Sequence, residues 1–448
     1  MKKGSKQVLK MLVSAGLMAS LLTGCLGSSQ GGTSENTTPK TNQTSVDGSG
    51  QALGEIDYNA SFELRLMTSL TGDTRIALVD EAVERFNEKW PNVKIVNETG
   101  SEFAQKMKMA FSSGDGYEIV YVDDLNQQVL MEGSYLMDIT EDIKARGWLD
   151  KTVDGAIEFN NLRTPGKFYS AAFLMAPVVV YYNKDIFQEL NVEIPKTVEE
   201  LEAIMAKAKE AGYIPTECGG DAYHQILWAV ESMVLNSAPK EEIDNWYYGV
   251  ESTDNVKSAF IQAYEHIQKW YENGWFRENF EGTKIDDIPT LFSQGKTAFT
   301  LNGDWDLPNF NMSGLNIGAF VFPGFDSSQQ PYLVNATDGA WALSSDLTPE
   351  EKEAALDFID IFFQDDYVKR WYESGFTLAT KTDVSGIETT DLQKEIAAAT
   401  KDTRIGFYLD NVKSGYLDYL IKETQLLIQG QYTPETLWDS LDAEWNRK

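Results

Sequence analysis

Two cysteines and two histidines are all that 448 residues offer of the side chains most used as metal ligands or as nucleophile and base. His224 and His266 are distant in sequence, which argues against a zinc site of the usual His/Cys type and against a Ser–His–Asp triad. Basic charge is also scarce: 38 Lys and Arg face 69 Asp and Glu, a net charge of −31. Binding to phosphate needs a basic footprint, so nucleic acid and anionic membrane surfaces are poor partners. Long apolar runs are missing as well. "MLVSAGLMASLL" (11–22) is too short to span a bilayer, and no later segment reaches that length.

What is present is material for cores, with 42% hydrophobic and 12% aromatic residues over a length suited to two or three domains. The N-terminus is patterned. Lys2, Lys3, Lys6 and Lys10 precede the short apolar run, as in a signal peptide (1–24), and "LTGC" (22–25) closes it. That ending looks like the lipobox of a bacterial lipoprotein, in which Cys25 is acylated. Of two cysteines this leaves 2 − 1 = 1, so Cys218 has no disulfide partner and is expected to be a small buried residue. From Ser28 to Gln51 the only aliphatic residue is Val46, so residues 25–60 are expected to be a flexible tether. The folded part is expected from residue 61, on the extracellular face of a membrane, held by the lipid alone.

"FELRLM" (62–67) predicts a strand, and "RIALVDEAVERFNEKW" places Ile76, Val79, Val83, Phe86 and Trp90 on one helical face before Pro91. "VKIV" (93–96) predicts the next strand, making a parallel pair with a right-handed crossover. A helix near 101–112 and the strand "YEIVYV" (117–122) continue an open α/β sheet, which binds ligands beyond the carboxyl ends of its strands. The alternation restarts at "APVVVYY" (176–182). Thr197 and Glu200 form a capping box, helices run to 294, and strands follow at 297–301 and 315–322. "ATDGAWALS" (336–344), an amphipathic helix over 350–373 and a helical C-terminal third complete the chain. Several crossings between two α/β halves predict two lobes around a cleft.

Several motifs fail on inspection. "TLFSQGKT" (290–297) ends like a phosphate-binding loop, but Thr290 stands where glycine is required and the helix precedes the strand. Acidic pairs such as Asp123–Asp124, Asp286–Asp287 and Asp365–Asp366 are expected mostly as solvated turns and helix ends. Asp304 and Asp306 flank Trp305 in "LNGDWDLPNF" (301–310), but the glycine and closing glutamate of a calcium loop are missing. Glycoside hydrolysis needs two carboxylates across a cleft, and no pair is singled out for it.

The lipobox, "YYNKDIFQELNVEIPKTVEELEAIMAKAKEAG" (181–212), "GKTAFTLNGDW" (295–305) and "DGAWALS" (338–344) resemble the family-1 extracellular solute-binding proteins of sugar ABC transporters, the maltodextrin-binding-protein-like group. The resemblance runs from about residue 62 to the C-terminus. It implies a two-lobed periplasmic-binding-protein-like fold, each lobe an open α/β sheet flanked by helices, with a hinge and an interlobe cleft. The lobes would be 61–176 with about 335–378, and about 177–334 with 379–448. It implies a monomer that is not an enzyme, needs no cofactor or metal, closes on a carbohydrate, and hands it to a permease served by a separate ATPase.

Carried over residue by residue, the resemblance places Ser69, Thr71 and Asp73 at the cleft, followed by Asp123, Asp124 or Asn126 in "VDDLN". Asp221 and Tyr223 come from "GGDAYH", and Trp305 matches the family's stacking tryptophan. Asn335, Asp338, Gly339 and Trp341 lie near the crossing, and Phe407 or Tyr408 would add an aromatic. Met67–Thr68 stand where many relatives carry an aromatic residue. The chemistry suits a pyranose, whose apolar face an aromatic ring covers while Asp, Asn and backbone groups hold the hydroxyl rim. A secreted glycosidase and a binding protein for a cation such as a polyamine remain the alternatives from sequence.

Overall fold

The computed structural model describes residues 56–100, 103–221, 223–247, 252–401, 403–406 and 415–446, without the side chain of Asp338. Cys25, Phe407 and Tyr408 therefore lie outside the described residues. Within them the strands are β1 (Glu63–Thr68), β2 (Lys94–Thr99), β3 (Ile119–Val122), β4 (Ser170–Met175), β5 (Val178–Asn183) and β6 (Ile214–Glu217). They continue with β7 (Thr297–Gly303), β8 (Ile317–Phe320), β9 (Tyr332–Val334), β10 (Thr337–Leu343), β11 (Thr377–Leu378) and β12 (Arg404–Gly406).

Six strands form one mixed sheet in the order β11-β4-β10-β3-β1-β2, and four form another in the order β6-β7-β5-β8. β1 runs parallel to β2 and β3, as the strand–helix–strand pattern predicts. The intervening helix Asp73–Lys89 buries Leu78, Val79, Ala82 and Phe86. This stripe is rotated slightly from the expected one, with Val83 at its edge. β10 is antiparallel to both its neighbours, β3 and β4. Its side chains alternate: Trp341 and Leu343 enter one core, Ala340 and Ala342 the other. Each sheet thus carries its own apolar layers, and they are the centres of two lobes.

Helix caps follow the residue types. Thr348 and Glu351 make a reciprocal capping box at helix Pro349–Ile361. At helix Val198–Glu210 the box is incomplete: Thr197 accepts from the N–H of Glu200, but the Glu200 carboxylate reaches the N–H of Lys196 instead. The single helix expected over 350–373 is two, Pro349–Ile361 and Asp365–Glu373, with residues 362–364 breaking the ladder.

The chain passes between the sheets at Ala176–Pro177 and again at Asn335–Ala336. These two crossings are tied together, because the Ala176 N–H donates to the Ala336 carbonyl at 2.9 Å. Among the described residues no helix is long and apolar enough to cross a membrane.

Candidate functional site

The strand β7 carries "TAFTLNG" to its end fully buried, and the chain then turns. The turn is not made by Asn302–Gly303, which are still in the strand, but by a 3-10 turn over Asp304–Asp306. Trp305 emerges there half-buried and packs against the apolar cores of both lobes. Its indole lies over Gly303 and meets Trp228 edge-on at 5.6 Å. A small cavity opens beside it, lined by Ser69, Arg75, Tyr121, Asp304, Trp305 and Phe376 among others. It lies where the carboxyl ends of β1, β3, β4 and β7 converge, the position at which open α/β sheets present ligand loops.

The lining is bonded across the lobes. Nη2 of Arg75, in the first turn of helix Asp73–Lys89, donates to the Trp305 carbonyl at 2.7 Å. Oδ2 of Asp304 accepts from the N–H of Thr377 at 2.7 Å. Asp304 is only 2% exposed, and that burial pushes its carboxyl up to about 7 despite the Thr377 hydrogen bond and the Arg75 charge. Burial raises Asp306 too, against hydrogen bonds from Asn309 and Asn302. The Asp304–Asp306 pair is therefore neither a solvated turn nor a pair facing each other across a cleft. Asp304 is buried and bonded to Thr377, while the half-buried Asp306 accepts from Asn302 and Asn309.

The other expected residues divide. Ser69 lines the cavity, while Thr71 on the same loop and Asp73 at the start of the following helix are exposed. Asp123 caps helix Asp124–Glu132, accepting from the N–H and Nδ2 of Asn126 at 2.7 Å each; burial nevertheless raises its pKa. Asp124 turns away into a second cavity, where Arg163 pairs with its carboxylate. That cavity also holds Trp148, Phe168 and Ser170 and is walled by elements of the first lobe only, so it does not join the loops that meet at Trp305.

Three expected residues are held by packing or by their own loop. Trp341 is fully buried, lying parallel to Phe173 with centroids 6.1 Å apart, because strand alternation turns it into the first core. Tyr223 is 2% exposed and packs edge-on against Phe280, at a left-handed φ of 56°. Asp221 is exposed and accepts from the N–H of Ile285, closing its own loop against residues 280–285. Gly220 must be glycine there, since a β-carbon would stand 2.2 Å from Cα of Glu281. Gly339 serves close packing as well: it sits at a register shift in β10, and a β-carbon would stand 2.6 Å from Cβ of Leu174. Asn335, at the crossing, is buried and its N–H donates to the Gly406 carbonyl, but Oδ1 has no partner among the described residues.

Sequence reasoning missed Arg75 and Phe376. Arg75 follows the "TSLTGDT" loop by one residue, and that proximity was the available signal. Phe376 has none, being 71 positions beyond Trp305 (376 − 305). Among the described residues no group of three or more His, Cys, Asp or Glu could hold a metal ion.

Comparison with known proteins agrees with this architecture. A solved chitin oligosaccharide binding protein superposes with a TM-score of 0.76 at 21% identity, over 86% of this chain and 98% of that one. The maltodextrin-binding protein MdxE of Bacillus subtilis (strain 168) is 24% identical over 226 residues, 49% of this chain and 51% of its own length. The match thus spans about half of that relative. The sn-glycerol-3-phosphate-binding periplasmic protein UgpB of Rhizobium meliloti (strain 1021) is 22% identical over 405 residues, 85% of this chain and 92% of its own. These relatives are named as binding proteins, not as enzymes. The family model for bacterial extracellular solute-binding proteins matches residues 81–400. The chain belongs to the bacterial extracellular solute-binding protein family.

Proposed function

We propose that this protein is the ligand-binding component of an ABC importer, tethered outside the cell membrane through Cys25. It takes an oligosaccharide into the cavity at Trp305 and delivers it to a permease. The observation that carries this reading is the position of Trp305, a half-buried indole that packs against both lobe cores and lines a cavity together with Ser69 and Arg75. An aromatic face beside a hydroxyl donor is what a pyranose requires. The maltodextrin, multiple-sugar and chitin-oligosaccharide names among the relatives point the same way. Ligand contact with both lobes would shift the population toward a closed form. The lobes would divide as the sequence suggests, at about residues 177, 335 and 379. Asn335, with its unpartnered oxygen, and the described Ser69 are proposed as polar contacts.

A thermal-shift screen across mono- and oligosaccharides, glycerol phosphate and polyamines, followed by calorimetry on hits, tests the ligand class. The expected result is an oligosaccharide hit whose affinity Trp305→Ala lowers by about 1–2 kcal/mol, the usual cost of truncating a buried aromatic anchor. Stabilisation by glycerol phosphate or a polyamine alone would replace the sugar reading. Unchanged affinity in a folded Trp305→Ala variant would refute the stacking role.

A further inference from the structure

We propose that Arg75 is a positioning residue that holds Trp305 in its ligand-facing pose from the opposite lobe. The inference rests on the reading of the Trp305 cavity as the ligand site.

The peptide at residues 304–305 is where the two lobes are stitched. Before it, Asn302 and Gly303 pair with Val179 and Val178 in the second sheet. At it, two bonds reach the first lobe: Asp304 Oδ2 accepts from the Thr377 N–H, and the Trp305 carbonyl accepts from Arg75, each at 2.7 Å. Arg75 is itself fixed, with its guanidinium carbon 5.1 Å from the centroid of the Phe376 ring. Its charge also offsets the burial of Asp304 and Asp306 on either side of the tryptophan. The indole is left to rest on Gly303 and Trp228, both on the second-lobe side. A ring packed between the two cores, with its backbone gripped from the first lobe, has its orientation set by both. Among the described residues, Trp305 is the only half-buried apolar side chain packed against both of the largest cores. Lysine would not reproduce this grip, because an ammonium lacks the planar face that lies over Phe376.

The test combines a ligand-free and a ligand-bound measurement on the purified protein. With 5-fluorotryptophan incorporated, the Trp305 fluorine resonance is assigned by its loss in Trp305→Phe. Arg75→Ala is expected to shift or broaden that resonance without ligand, and Arg75→Lys to restore it only in part. With the sugar found by screening, Arg75→Ala should weaken binding roughly tenfold, as for loss of a charge-assisted hydrogen bond. The Arg75→Ala/Trp305→Ala double variant should bind no worse than Trp305→Ala alone, since Arg75 acts through Trp305. An unmoved Trp305 resonance in Arg75→Ala, or additive losses in the double variant, would overturn the proposal. If no sugar binds at all, the function reading fails, while the ligand-free resonance still decides the role of Arg75. Should Arg75→Ala not fold, the same resonance and cycle in Arg75→Lys decide it.

Discussion

A β-carbon at Gly303 would stand 1.9 Å from the indole of Trp305, so the tryptophan occupies the space that any other residue at 303 would need. The backbone there is extended, with φ −85°, which every residue adopts. Gly303→Ala therefore acts by displacing the ring rather than by straining the chain. The expected outcome is a loss of sugar affinity comparable to that of Trp305→Ala, with only a modest drop in thermal midpoint. Calorimetric titration of Gly303→Ala alongside a melting curve checks it, and full affinity would refute the close seating of the ring.

Asp304 predicts a pH dependence of stability. Its folded pKa of about 7 lies above the ordinary 3.8, with burial as the main cause. Folding therefore captures a proton between those values, so stability declines as pH rises across that window and levels off above it. Asparagine at 304 keeps an acceptor for the Thr377 N–H without a charge. Asp304→Asn should be more stable than the parent at about pH 8, by on the order of 2 kcal/mol, and nearly equal to it at about pH 3. Urea unfolding at both pH values measures this, and an equal gap at both would contradict it.

Glu202 behaves in the opposite sense. Burial pushes its carboxyl up, but hydrogen bonds from His266 Nδ1 (2.7 Å), Lys269 Nζ (2.5 Å) and Trp270 Nε1 (2.8 Å) prevail and hold it below the ordinary value. Its stabilisation is thus complete above the unfolded pKa and lost as pH falls through the lowered one. Glu202→Gln should cost roughly 2–4 kcal/mol at neutral pH, since three donors lose a charged acceptor in a buried place. The cost should shrink on acidification to about pH 3. Chemical denaturation across that range tests the assignment, which a cost independent of pH would sink.

Arg277 supports a carboxylate that pairs with no other cation among the described residues. Glu217 is fully buried, paired with Arg277 through both oxygens and accepting from the Thr297 hydroxyl at 2.5 Å. Arg277→Ala should destabilise by about 3–5 kcal/mol, the usual cost of stranding a buried charge. The double variant Arg277→Ala/Glu217→Gln should recover part of that, and unfolding curves that show no recovery would count against the pairing.

How much could be read beforehand follows from the range of each interaction. The β1–helix–β2 unit and the strand ends near Ser69, Asp123 and Trp305 were legible, because local periodicity and turn residues produce them. Trp341 is buried although expected near the crossing, and its own strand carried the signal: alternation places it with Leu343 inside the first core. Tyr223 gave no warning, since its burial and left-handed backbone depend on packing against Phe280. The Arg75–Trp305 bond joins residues 230 positions apart, and no local pattern encodes such a pairing. The loops beside Trp305 were thus readable, and the contacts between lobes were not.

The placement of β10 bears on the order in which the molecule can assemble. This strand lies between β3 and β4, yet it comes more than 150 residues after them in the chain (337 − 175 = 162). All four strands of the other sheet fall between residues 178 and 320. A chain emerging from its N-terminus therefore has a complete second sheet while the first is still two separate fragments with unpaired edges. Long-range pairing of this kind is slow and exposes apolar strand edges in the meantime. During synthesis, the N-terminal half is the part that needs protection, and it stays so until Leu343 has been added.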